Sequence, residues 1–240
     1  ILTIENVAYY SVAIFIAAVI EIPGRAMFQI LSPIVAEVIN KNNKKKLKYL
    51  LKKSSTNLVL ISSLFFLIIN LNLNDFYEML NQEGYSKGIP IVIVISFAKL
   101  YSMSIGCVNS IITNSKYYYF IFWFSIISSV LAVVLNLYLI QDYGIIGAAY
   151  ATFLVILIMN SLKLYLVKIK FKIHPYSYDT IKIAILTTFI YVIFLNLKLT
   201  FEPVISIAVK STLILILYTL AAYIFKLSND VNIFFDKFNK

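Results

Sequence analysis

Apolar residues run through this chain in blocks too long for the core of a water-soluble domain. A bilayer-crossing helix needs about 20 mostly apolar residues at about 1.5 Å of rise each. Seven blocks meet that need, at about Tyr9–Val38, Ser55–Leu73, Ile89–Thr113, Tyr118–Ile140, Gly144–Val167, Thr180–Leu197 and Val204–Phe225. The first block contains Pro23 and Gly24. They predict a bend, because proline removes a backbone donor and glycine loosens the helix. The polar gaps are short, as between antiparallel neighbours in a bundle. No strand-length block alternates with period two, so a β-barrel is not expected. The pattern predicts an all-α polytopic membrane helix bundle.

Composition agrees. Of 240 residues, 61% are hydrophobic and 13% charged, against roughly half and about a quarter in soluble domains. Such hydrophobicity also excludes disorder. The net charge of +10 then needs a location. No soluble basic domain fits between the apolar blocks, so nucleic acid is not expected as a partner. The positive-inside rule places the charge better. With the first gap inside, the inner segments hold Lys41, Lys44, Lys45, Lys46, Lys48, Lys52 and Lys53, then Lys116, then Lys163, Lys168, Lys170 and Lys172, and finally Lys226, Lys237 and Lys240. The outer segments hold Lys87 and Lys198 beside Asp75, Glu78, Glu83, Asp142 and Glu202. This bias predicts residue 1 outside and a cytoplasmic C-terminus. The chain starts at Ile1 without a signal-peptide pattern, so it is expected to be a piece of a longer protein with an odd number of spans upstream. The stretch Asn40–Lys53 reads as a partly helical segment on the inner membrane face, attracted to anionic lipid by about 1 kcal/mol per basic residue near the surface. An ordinary topology signal is enough to explain it.

Four basic residues remain within the blocks: Arg25, Lys99, Lys182 and Lys210. An ionisable group at mid-bilayer costs at least about 2.5–3.5 kcal/mol and usually faces a cavity or a partner. Lys182 lies near a span end and can snorkel to the interface, and Lys210 lies two turns into its span. Arg25 follows Glu21 by one helical turn, on a face that continues through Gln29 and Ser32. Either Glu21 and Arg25 form a structural pair, or Arg25 lines a cationic cavity. Lys99 sits mid-span on the stripe Ser96, Lys99, Ser102, Gly106, Asn109 and Thr113. That stripe predicts a hydrated face or a pairing with Glu21. Arg25, Lys99, Glu21, Gln29, Ser102 and Asn109 are therefore the candidate functional residues. Gly144, Ala148 and Thr152, with Gly147 beside them, form a small-residue row suited to close helix contact. The aromatic run Tyr117–Phe120 with Trp123 reads as an interfacial belt.

No phosphate-binding glycine loop, HExxH or GxSxG occurs. Cys107 and His174 are single residues of their type, so neither a disulfide nor a multi-cysteine or histidine-based metal site is expected. The chain reads as a non-enzyme without a cofactor.

The run Asn136-Leu137-Tyr138-Leu139-Ile140-Gln141-Asp142-Tyr143-Gly144-Ile145-Ile146-Gly147-Ala148-Ala149-Tyr150-Ala151-Thr152 resembles the C-terminal signature of bacterial polysaccharide flippases. Tyr10-Ser11-Val12-Ala13, Glu21-Ile22-Pro23-Gly24-Arg25-Ala26, Pro33-Ile34-Val35-Ala36 and Asn114-Ser115-Lys116-Tyr117-Tyr118 are similar to the same family. Gln141 departs from it, standing where proline is usual. The family belongs to the multidrug/oligosaccharidyl-lipid/polysaccharide exporter superfamily. The resemblance implies a MATE-like partial C-terminal lobe over residues 1–173, with two extra helices and a short cytoplasmic tail over 174–240. The N-terminal half of the same protein would be missing. It implies a bacterial inner-membrane transporter that flips a lipid-linked oligosaccharide, a glycan on polyprenyl pyrophosphate, for surface polysaccharide or O-antigen export. Alternating access by two rocking lobes is the implied mechanism. On this reading Arg25 and Lys99 would meet the pyrophosphate, and Gln29, Ser102 and Asn109 would offer hydrogen bonds to sugars. A cation-coupled multidrug exporter of the same superfamily is the second reading. A membrane enzyme of envelope glycan synthesis is the third, with Asp75–Glu83 as its only acidic loop.

Overall fold

The computed structural model of the chain describes residues 4–80, 85–197, 201–228, 230 and 232. Glu83, Lys198, Lys237 and Lys240, used above in orienting the chain, lie outside the described residues. Among those residues every regular element is helical. Seven of the helical segments are long and apolar enough to cross a membrane. The chain is an all-α polytopic membrane helix bundle.

The first crossing segment is a broken rod. Helix α1 (Ile4–Ala18) passes through a 3-10 turn at Val19–Glu21 into α2 (Ile22–Asn40). Pro23 stands in the first turn of α2, where its missing N–H costs nothing. The break predicted around Pro23 therefore falls just before it. α2 nevertheless keeps Pro33 in its interior.

Helix α3 (Lys44–Leu71) is the central element. Asn43 caps it, its side chain accepting from the Lys46 amide at 3.0 Å. The lysine-rich stretch expected to lie along the membrane face is instead the first turns of this same helix. The lysines continue the α-helical ladder of the span without interruption, and Leu47 and Leu51 between them are buried. Short α4 (Leu73–Leu80) follows directly.

The third span is discontinuous, where a single helix was expected. α5 (Ile89–Ser104) stops and α6 (Val108–Thr113) restarts around Gly106, whose φ is 61°. An added Cβ there would lie 2.7 Å from Ser54 Oγ and 2.8 Å from the Ser55 amide nitrogen. Glycine is needed for both the backbone angle and the close approach. The loose ends are satisfied by α3. The Cys107 amide donates to Ser54 Oγ at 3.0 Å, and Ser55 Oγ donates to the Ser104 carbonyl at 2.6 Å. Such repair is what a break at membrane depth requires.

Helices α7 (Tyr119–Tyr143) and α8 (Ile145–Phe171) form a tight hairpin. Gly144 makes the turn at φ 60°, ψ −138°. A Cβ on it would meet nothing within 4 Å. Its role is thus the turn rather than the helix contact expected of it. Gly147 provides the contact instead: a Cβ there would overlap the Leu139 carbonyl. Ala148 is buried, and Thr152 and the Ala148 carbonyl both meet the Tyr10 hydroxyl of α1, at 2.9 and 3.4 Å. α7 buries no residue at all.

Helices α9 (Tyr178–Leu195) and α10 (Pro203–Ile224) complete the bundle. α9 begins with a capping box of Ser177 and Thr180. Both helices contact α3, and α10 also contacts α4. The core has three parts: Val35, Leu51 and Ile111 with their neighbours among α2, α3 and α6, Leu67, Ile183 and Ile214 among α3, α9 and α10, and Ala13, Ile91 and Ala149 among α1, α5 and α8.

Candidate functional site

The break between α1 and α2 places Glu21 opposite α5. Lys99 Nζ donates to Glu21 Oε2 at 2.9 Å, with both side chains about one-fifth exposed. One turn further along each helix, Gly24 lets α2 approach Met103. A Cβ on Gly24 would lie 2.5 Å from the Met103 sulfur. The glycine and the ion pair together fix how the first span seats on the third.

Of the alternatives open for Glu21, the structure selects Lys99. Arg25 makes no ion pair or hydrogen bond among the described residues, and it is exposed. Gln29, one turn on, is exposed too. Arg25 stands fifteen residues before the end of α2, about 22 Å along the helix. That is deep within the first crossing segment.

The remaining candidates divide. Ser102 accepts from Asn160 Nδ2 of α8 at 3.2 Å, beside a Tyr101–Ser161 hydroxyl contact at 2.8 Å. Ser102 therefore also ties α5 to α8. Asn109 is exposed on α6, which contacts α2 through Asn114 Nδ2 and Ser32 Oγ at 3.2 Å. Ser96 Oγ is buried with no hydrogen-bond partner among the described residues. The predicted stripe is thus not a single hydrated face. It is split by the Gly106 break, with its first half largely turned into the bundle and Asn109 and Thr113 exposed.

Two charged features were not apparent from sequence. Lys210 is only 8% exposed and donates to Asp75 Oδ2 at 2.7 Å. Ser206 Oγ donates to the same oxygen at 2.8 Å, and Asn72 Nδ2 donates to Ser211 Oγ at 3.2 Å. α4 and α10 are thus joined by a polar lock. The signal available was an acid just after one span and a lysine two turns into another. Pairing them needs the tertiary arrangement. Lys163, counted above with the inner segments, lies within α8 and lines a small cavity with Ser125, Ser128 and Ser129 of α7. It makes no ion pair among the described residues.

Among the described residues no group of three or more His, Cys, Asp or Glu side chains is placed to hold a metal. No protein-family model, curated protein or solved structure matches this chain.

Proposed function

We propose that this chain is part of a transporter moving an anionic, lipid-linked glycan across a bacterial inner membrane, with its C-terminus in the cytoplasm. The observation that carries the reading is Arg25: a guanidinium deep in an apolar span, exposed, and without a carboxylate partner among the described residues. A charge so placed is costly unless it faces water or an anion. Its fixed fork of donors suits a pyrophosphate. Lys99 is neutralised by Glu21 in this arrangement. It serves the substrate only if an anion competes for it, which gives the pair the character of a latch. Gln29 and Asn109, also exposed, supply neutral hydrogen-bonding groups for sugars. The resemblance noted in the Asn136–Thr152 run supports the same substrate class.

The test is complementation with the full-length protein. Arg25→Ala should abolish surface polysaccharide while membrane levels of the protein stay normal, and Arg25→Lys should restore only part of it. Normal export by a stably inserted Arg25→Ala protein overturns the reading.

A further inference from the structure

At the lysine-rich end of the bundle, α3, α9 and the end of α10 enclose a cleft of about 400 Å³. Lys45, Lys48 and Lys52 enter it from α3, at spacings of three and four that put them on one helix face. Lys53 and Lys226 add two more cations, against two carboxylates, Asp179 and Asp230. Both carboxylates are already engaged. Asp230 lies 2.8 Å from Lys53 Nζ, and Asp179 lies 3.5 Å from Lys182 Nζ. Lys45, Lys48, Lys52 and Lys226 therefore have no carboxylate partner among the described residues. A concave site with four uncompensated ammonium groups has the chemistry of a phosphate receptor.

The cleft sits where the apolar part of three spans gives way to polar residues. Leu227, on its wall, also lines a groove of about 520 Å³ between α9 and α10. Lys182 stands on its rim, and its other walls are apolar, among them Leu186, Phe189, Ile193, Leu217 and Phe225. A cationic cleft and a hydrocarbon groove thus share a wall at Leu227. A soluble phosphate has no use for the second half of this arrangement, whereas a phospholipid fits both. We propose that the cleft binds the headgroup phosphate of an anionic membrane phospholipid, with an acyl chain laid in the α9–α10 groove. This site is independent of the transport reading. It lies on α3, α9 and α10 and uses none of Arg25, Glu21 or Lys99.

The experiment measures lipid binding to the full-length protein in detergent, titrated separately with dioleoyl phosphatidylglycerol, dioleoyl phosphatidylcholine and inorganic phosphate. Phosphatidylglycerol should bind about tenfold or more tightly than phosphatidylcholine, since each nearby lysine favours the anionic surface. The triple variant Lys48→Gln/Lys52→Gln/Lys226→Gln should lose that preference. Lys44→Gln/Lys46→Gln/Lys168→Gln, which removes equal charge outside the cleft, should keep it. As a check needing no variant, raising salt should weaken phosphatidylglycerol binding to the unaltered protein. An unchanged preference in the triple variant overturns the proposal, as does equal binding of the two lipids. Inorganic phosphate binding as tightly as phosphatidylglycerol would make this a soluble-anion site and overturn the lipid assignment.

Discussion

Lys99 of α5 and Glu21 of the α1–α2 turn meet at 2.9 Å, although the residue one turn from Glu21 on its own helix is an arginine. The acid is satisfied across the helix interface, and Arg25 is left exposed. Removing one partner of such a pair strands the other. Lys99→Met should therefore lower unfolding stability by about 2 kcal/mol, and Lys99→Met/Glu21→Gln should recover most of it. Denaturant unfolding of the single and double variants in detergent checks this. Full additivity of the two substitutions would mean that the pair is not coupled.

Asp75 and Lys210 should behave as a more severe case, because Lys210 is nearly buried. Asp75→Asn should cost about 3 kcal/mol and reduce the amount of protein in the membrane. Adding Lys210→Met should restore that amount. The contrast with the first pair is functional: Lys99→Gln should impair transport more than protein level, and Lys210→Gln the reverse. Immunoblotting beside a transport assay separates the two effects.

Glycines 144 and 147 lie three residues apart but should fail differently. At Gly147 the obstacle is the Leu139 carbonyl, so Ala should cost about 3 kcal/mol and larger residues more. At Gly144 nothing surrounds the Cβ position and only the backbone angles resist. Ala and Leu should therefore cost about the same there, in the range of about 1–3 kcal/mol. Thermal unfolding of Ala and Leu variants at both positions reads the difference.

The contact of the tail with α3 should be sensitive to acid. Burial pushes the Asp230 carboxyl up. The hydrogen bonds from Lys53 and Asn57 and the Lys53 charge outweigh this, holding it below its ordinary value. A lowered folded-state value means that the contact is fully stabilising above the ordinary carboxylate range. It is lost as pH falls through the depressed value. Hydrogen exchange at Leu227 and Ser228 should accelerate at that point, and Asp230→Asn should bring the faster exchange to neutral pH.

Orientation has its own test. Asn43→Cys, at the start of α3, should react with an impermeant reagent only from the cytoplasmic side. Cys107 is fully buried and should not interfere. Labelling of intact cells at position 43 would reverse the topology.

The spans were readable from sequence because each needs only length and hydropathy, and none depends on what lies next to it. The bend near Pro23 was readable for a related reason, since proline acts on its own helix. Gly106 was not. It stands within a predicted span between Ser104 and Asn109, and whether such a glycine breaks a helix depends on whether Ser54 is there to accept from one loose end and Ser55 to donate to the other. The same reason hid the Asp75–Lys210 lock. For Glu21 the sequence offered both Arg25 and Lys99, and only the position of α5 decided between them. The lysines of Asn40–Lys53 misled in the opposite way. Charge suggested a surface segment, while the buried Leu47 and Leu51 between them carry the helix straight on.

The serine repairs at the Gly106 break also bear on how this bundle can deform. Ser54 and Ser55 substitute for the backbone of another helix, so they hold α3 at one axial setting against α5 and α6. Sliding by a single residue, about 1.5 Å, would unmake both hydrogen bonds at once. The two spans therefore travel together as one strut. The 3-10 turn at Val19–Glu21 lacks such a repair among the described residues: the chain there departs from α-helical winding just before Pro23, and Glu21 is held across the interface by the Lys99 side chain.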